Sequence, residues 1–302
     1  MFVIEIQSSF KTIILIRILL NEPHEKSIGI CKKAYIEHIT KSLNKIAKVY
    51  LLIDDHTINN KKTINFLQNI KKELEISYFL YNDTYITDHY KNAMWPYPTW
   101  ITNKNKISYW IHEPSVIMWL KQFKISNNGS NIPQYVWVFE DDVFYVGNIT
   151  KFIEFYNNNN ADLIDTFNHN YGINWKDAFN WKVKNSKKIH KWEHIERFSV
   201  RLLKKIDEQL QLGHAAFGEM FGSTICYSFN SWCKIRDLRQ DNFIPKNNIY
   251  YNGNRHVIKK KEFHQILKNP EFIGKWIHGV KWDLATKCKQ IFIDIYQQNI
   301  KF

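Results

Sequence analysis

Five apolar or aromatic residues, Tyr135-Val136-Trp137-Val138-Phe139, follow one another with no polar alternation and run straight into Glu140-Asp141-Asp142. A run of that kind is a strand covered on both faces, which demands layers of structure above and below it. Carboxylates at the end of such a strand are costly to enclose unless cations or hydrogen-bond donors compensate them. Alternate side chains of an extended chain share a side, so Glu140 and Asp142 face one way and Asp141 the other. Hard oxygen donors so arranged suit Mg²⁺ or Mn²⁺, which bind a carboxylate or two together with phosphate oxygens. An acidic turn solvated by water is the other reading of the same residues.

The preceding chain supplies the layers. Residues 12–20 are apolar and β-branched, interrupted by Arg17, and 49–53 and 76–81 are short apolar strands. Between them, 27–48 and 64–74 carry apolar residues at helical spacing. Strand, helix, strand, helix, strand is the order of an α/β fold, with a mostly parallel sheet flanked by helices. A helix is expected over 115–123 and another, capped by Asn148 or Thr150, up to Tyr156, followed by a strand at 161–164. Residues 83–113 are aromatic and irregular. Beyond 165 the periodicity weakens. An amphipathic helix is expected over 197–212, and then comes a glycine-spaced run, 213–224, holding His214 and Glu219.

Glu140-Asp141-Asp142 at the end of a covered strand, with Val143 to Gly147 after it, resembles the Asp-x-Asp-type motif of nucleotide-sugar glycosyltransferases of the GT-A fold. The first position here is Glu, a departure from the pattern. The resemblance implies one GT-A-like domain, with a donor-binding half at 1–160 and a mixed acceptor-binding half at 161–302. It implies a nucleoside diphosphate sugar as donor and a glycan, lipid or protein acceptor. Asp142, Glu140 and a C-terminal His278 would hold Mn²⁺ or Mg²⁺. Asp54, Asp55, Glu140, Asp141 and Lys281 would contact the donor. Glu219 would serve as the base of an inverting member. Helix-capping loop residues at 54 and 55, and a structural Glu at 219, are the bland alternatives.

The net charge of +13 attracts phosphate, whether on a nucleotide, a nucleic acid or a membrane surface, and the sign alone does not choose among them. Aromatic residues make up 16% of the chain, too many for a largely disordered one. Cys31, Cys226, Cys233 and Cys288 form no Cys-x-x-Cys pair, so neither a zinc cluster nor a disulfide framework is expected, and a reducing compartment follows. The first apolar run is too short and too charged to span a bilayer and lacks the features of a signal peptide. Asn82, Asn128 and Asn148 head glycosylation sequons that this leaves unused. The expected location is the cytoplasm, with peripheral contact to a membrane surface compatible with the charge.

Two competing functions come from the same residues. His190-Lys191-Trp192-Glu193-His194 matches His-x-x-Glu-His, which on a helix would give a zinc peptidase two histidines on one side and Glu193 as base. The charge and interleaved aromatics would suit nucleic-acid binding, although no signature of a nucleic-acid-binding module is present and no specific nucleic-acid partner is expected.

Overall fold

The structure, a computed structural model, describes residues 11–19, 30–54, 61–96, 112–168, 178–182, 184, 187–229, 231–246, 249–252 and 258–280. The chain begins with β1 (Thr12–Leu19), α1 (Ile30–Leu43), β2 (Lys48–Asp54), α2 (Lys61–Leu74) and β3 (Ser77–Tyr81). Next come α3 (Asp83–His89), α4 (Glu113–Ser126), β4 (Tyr135–Glu140), β5 (Val143–Val146) and α5 (Ile149–Tyr156). The second half adds β6 (Leu163–Asp165), β7 (Phe167–Asn168), β8 (His190–Lys191), β9 (Ile195–Ser199), α6 (Val200–Gln211) and α7 (Gly218–Ser228). It ends with β10 (Ile235–Asp237), α8 (Lys260–Lys268) and β11 (Lys275–His278). The main sheet has seven strands in the order β10-β6-β9-β4-β1-β2-β3. Its β3-β2-β1-β4 part is parallel, and β9 enters antiparallel to both β4 and β6. The expected α/β class, a mostly parallel sheet flanked by helices, is what the chain adopts, and strands from both halves share one sheet.

Period-two alternation sorts each central strand into two cores. Ile14, Ile16, Leu51, Ile53, Trp137 and Phe139 pack on one face with α1 and α5, where Tyr35, Ile36, Phe152 and Ile153 are enclosed. Ile13, Leu15, Leu52, Val136 and Val138 pack on the other with α4, α6 and α7. Enclosing an aliphatic side chain of this size contributes roughly 1.5–3 kcal/mol. This explains why the strands lack polar alternation: each is covered twice. Asn82 and Asn148 cap α3 and α5, accepting from Tyr85 N–H and Thr150 N–H, and Ser199 caps α6 by accepting from Leu202 N–H.

Two expectations are corrected. Residues 197–199 do not begin the amphipathic helix; they finish β9, and α6 starts at Val200. The charged Glu196 and Arg197 hid this strand, because both are buried. Arg197 donates to the carbonyls of Tyr156, Asn159 and Ala161 at 2.9 Å each, satisfying a guanidinium inside the fold. The glycine-spaced run carries Glu219 in the first turn of α7. Finally, Cys226 and Cys233 form a disulfide, so the expectation of unpaired thiols fails for these two, and the reducing compartment drawn from it loses its support.

Closing so short a loop restricts the unfolded chain by about 2–3 kcal/mol. Reduction, or Cys226→Ser with Cys233→Ser, is expected to lower the unfolding free energy by about that amount in chemical denaturation. A thiol titration in denaturant should find at least two more reactive groups after reduction than before it. Equal counts would sink the assignment. Among the described residues no helix is long and apolar enough to cross a membrane.

Candidate active site

The order β3-β2-β1-β4 means that the chain first builds to one side of β1 and then returns to its other side. In an open α/β sheet the crevice beyond the carboxyl ends at such a reversal is where ligands bind. Arg17 on β1 and Glu140 on β4 are direct register partners there. Alternation places both, with Asp54 of β2, on the face that α4, α6 and α7 cover.

Glu140 closes β4, and Asp142 follows in the turn to β5. β11 pairs antiparallel with β5, with His278 opposite Val143, and Val280 N–H donates to the Asp142 carbonyl at 2.9 Å. Gly147, at φ +140°, ends β5 where a Cβ would meet the Gly274 backbone nitrogen at 3.5 Å, so the two chain segments approach closely. The result is that His278 Nε2 comes within 3.4 Å of Asp142 Oδ1 and 3.8 Å of Glu140 Oε2. From the link between β8 and β9, His194 brings Nδ1 to 2.7 Å from Glu140 Oε2 and stacks on His278 with ring centroids 3.6 Å apart. Glu140, His194 and His278 each offer a ligand atom within 4.8 Å of the others, and Asp142 adjoins them.

Burial pushes the Glu140 carboxyl up, but the charge and hydrogen bond of His194, aided by His112, hold it down at about 2 against the Asp142 charge. Burial and the neighbouring His278 lower His194, outweighing Glu140 and Asp142.

Behind this edge lies a buried ionic layer. Arg17 Nη1 is 3.5 Å from Glu140 Oε1 and also donates to His112 Nε2, while its Nε donates to Tyr81 Oη at 3.3 Å. With Nε2 accepting, the proton of His112 is on Nδ1, which lies 3.4 Å from Glu196 Oε1. Lys191 Nζ, with no exposed surface, donates to Glu196 Oε2 at 2.6 Å and Glu193 Oε1 at 2.8 Å and lies 3.3 Å from Glu113 Oε1. Burial alone would lower the Lys191 pKa; Glu113, Glu193, Glu196 and Asp165 raise it well above the ordinary value. Gly222 on α7 admits Glu113: its N–H donates to Oε1 at 3.0 Å, and a Cβ there would stand 2.8 Å from that oxygen.

Glu219, at the start of α7, meets His190 Nε2 through Oε2 at 2.6 Å. Burial, with the Glu140 charge adding and Lys191 opposing, pushes Glu219 up to about 8. Burial, then Lys191, pushes His190 down to about 3. At neutral pH the proton therefore sits on Glu219, which donates to His190.

Of the residues singled out in the sequence, Glu140, Asp142 and His278 converge, Asp141 stands on the same turn, and Glu219 lies within electrostatic reach of Glu140. Asp54 is fully enclosed, and its charge acts on Arg17 and Tyr81. Asp55 and Lys281 lie outside the described residues, as do Cys288, residues 255–257 of the basic run and the aromatic residues between 97 and 111. The His190–His194 segment is strand, turn and strand with Glu193 at φ 59°, not a helix. Its two histidines go to different carboxylates, and Glu193 pairs with Lys191, so the peptidase geometry is absent. Sequence reasoning missed His194 as part of the carboxylate cluster, and Arg17, His112 and Lys191 beneath it. Arg17 did leave a signal, a lone cation in an otherwise apolar strand.

No known family profile matches the chain, and no curated protein matches it significantly in sequence. Among solved structures it is similar to a protein assigned as a glucose-1-phosphate thymidylyltransferase from Bacillus anthracis, in complex with a sucrose. That match has a TM-score of 0.38 and 11% identity over 75% of this chain and 85% of that one. It is also similar to the mannosyltransferase Ktr4p from S. cerevisiae, with a TM-score of 0.34 and 14% identity over 71% of this chain and 62% of that one.

Proposed function

We propose that the chain is a metal-dependent glycosyltransferase that moves a sugar from a nucleoside diphosphate sugar to an acceptor hydroxyl. The observation that carries this reading is the convergence of Glu140, Asp142 and His278 at the carboxyl end of β4, beside the reversal of the sheet. Two carboxylates and an imidazole fit a divalent cation, and the His194 ring lies against the same Glu140 oxygen. A divalent cation held there, Mn²⁺ or Mg²⁺, would supply charge neutralisation to a departing diphosphate. Arg17 and His112 fix the Oε1 side of Glu140, leaving Oε2 turned to the histidines. Glu219 would take the proton of the acceptor hydroxyl if the reaction inverts. The acceptor, a glycan, lipid or protein, would approach from the α7 side, and Asp141 and, beyond the described residues, Asp55 and Lys281 remain the proposed donor contacts.

A thermal-shift series with nucleoside diphosphates and sugar nucleotides, with and without Mn²⁺, tests the reading, because a ligand that binds only the folded state raises its apparent stability. At about 100 times its Kd a nucleotide should add roughly 2.7 kcal/mol. The shift should need Mn²⁺ and vanish in Asp142→Ala. A folded protein that responds to no nucleotide would end the proposal.

A further inference from the structure

We infer that a second cavity, at the amino ends of β1, β2 and β3, is a binding site for a neutral saccharide. The site is distinct from the carboxylate–histidine cluster, and its occupancy does not depend on that cluster.

The cavity has a volume of about 370 Å³, within the roughly 300–1,000 Å³ of small-molecule pockets. Its place follows from the register of the sheet. Ile13, Lys48 and Ser77 line it, and Ile13 pairs with Lys48 while Ser77 pairs with Tyr50. Arg17 and Asp54 stand toward the other ends of the same strands. Lys48 and Asp54 bound β2, a span of roughly 20 Å at about 3.3 Å per residue, so one small ligand does not reach both places. Tyr50 and Phe123 of α4 form an aromatic wall, edge to face with ring centroids 5.9 Å apart, and Val49 and Leu74 extend the apolar surface. Thr40, Asn44, Ser77, Asn127 and Asn131 add polar groups. Asn127 Nδ2 donates to the Phe123 carbonyl and the Thr40 hydroxyl to the Ile36 carbonyl, each at 2.7 Å, which leaves both side chains an oxygen to accept with. Asn44, Asn131 and Ser77 carry donors and acceptors together. A ligand that answers such a set both donates and accepts, as a hydroxyl does and an ionised carboxylate does not. Charge leads to the same class. The lining holds one cation, Lys48, and one anion, Glu75, so an ionic ligand gains no net attraction. A pyranose ring fits: its C–H faces are apolar and pack on aromatic rings, and its hydroxyls donate and accept around the edge. Glu75 and Asn131 sit at φ 52° and 56°. Glycine would hold that backbone with less strain, yet each turn carries a polar side chain to the cavity.

Saturation-transfer NMR titrations of the full-length chain with methyl glucoside, methyl galactoside, methyl mannoside, maltose and cellobiose read binding with no need for turnover. At least one of these sugars should bind with a Kd on the order of 1 mM or tighter. Mn²⁺ and Asp142→Ala, which act at the other end of the strands, should leave that value unchanged. Asn44→Ala combined with Asn131→Gly removes two exposed amides, and glycine suits the left-handed backbone at 131. The pair should weaken binding about 10-fold, the loss expected for two neutral hydrogen bonds. Ser77→Trp puts an indole at the exposed start of β3, the edge strand, where an aromatic residue is tolerated. It should abolish binding and keep the wild-type circular dichroism. Binding of none of these sugars, or binding that either variant leaves intact, overturns the inference. So does a preference for adenosine or for the apolar dye anilinonaphthalene sulfonate, blocked by Ser77→Trp, which would give the cavity to another class of ligand. Loss of sugar binding in Asp142→Ala would place the sugar in the catalytic crevice and likewise overturn it.

Discussion

Lys191→Met is expected to lower the unfolding free energy by about 3–5 kcal/mol near neutral pH, because it strips a buried ionic cluster of its central cation. Glu113, Glu193 and Glu196 surround Nζ, the Asp165 charge also acts on it, and Lys191, Glu113 and Glu196 are fully enclosed. Methionine matches the length of the stem and removes the cation that these carboxylates share. The loss should depend on pH, and its sign can be worked out. Burial raises Glu113, Glu196 and Asp165 above the ordinary carboxylate range and Glu193 to about 8, with Lys191 opposing every one of these shifts. A carboxyl raised in the folded state favours folding below its ordinary pKa and loses that contribution as pH climbs through the folded value. Without Lys191 the folded values rise further, so the variant should be nearly wild type at about pH 5 and most deficient at about pH 8–9. Urea denaturation at the two pH values checks this. A deficit that is the same at both, or below about 1 kcal/mol at the higher pH, would show that the cluster is not organised by Lys191.

That cluster marks where sequence reasoning stops. The parallel half of the sheet was legible because each strand is an unbroken apolar run and each helix keeps helical spacing; residues 49–53 and 76–81 differ from β2 and β3 only at their ends. The Glu140-Asp141-Asp142 turn was legible for the converse reason, three carboxylates where burial disfavours them. β9 was not, because Ile195-Glu196-Arg197-Phe198-Ser199 carries two opposite charges whose partners lie just before α4, in β8, at the end of α5 and in the α5–β6 connection. Local pattern says nothing about partners that distant. His194 was visible but assigned to the wrong constellation, since histidines at 190 and 194 share one side only on a helix, and the left-handed backbone at Glu193 that breaks the helix is a tertiary outcome. His278 was placed by resemblance alone; its approach to Asp142 depends on the pairing of β11 with β5.

Glu219→Gln is expected to reduce sugar transfer by about 10²- to 10⁴-fold while leaving nucleotide binding and stability close to wild type, if Glu219 is the base that the proposed reaction needs. Glutamine is nearly isosteric and still donates to His190 Nε2 through its amide, so the 2.6 Å contact that positions the side chain has a substitute. What it lacks is the ability to take a proton. The wild-type pH profile should carry the same signature. Glu219 is pushed up to about 8, chiefly by burial, and His190, pushed down to about 3, stays neutral across the working range. A base must be unprotonated to act, so the rate should climb as pH rises through about 8 and level off above it. Below that value the proton shared with His190 keeps Glu219 idle. His190→Phe removes the acceptor of that proton and should change the midpoint of the climb without abolishing it. A rate flat from about pH 6.5 to 9, or transfer retained in Glu219→Gln, would make the Glu219–His190 contact a structural one and reassign the proton transfer to another group facing Glu140.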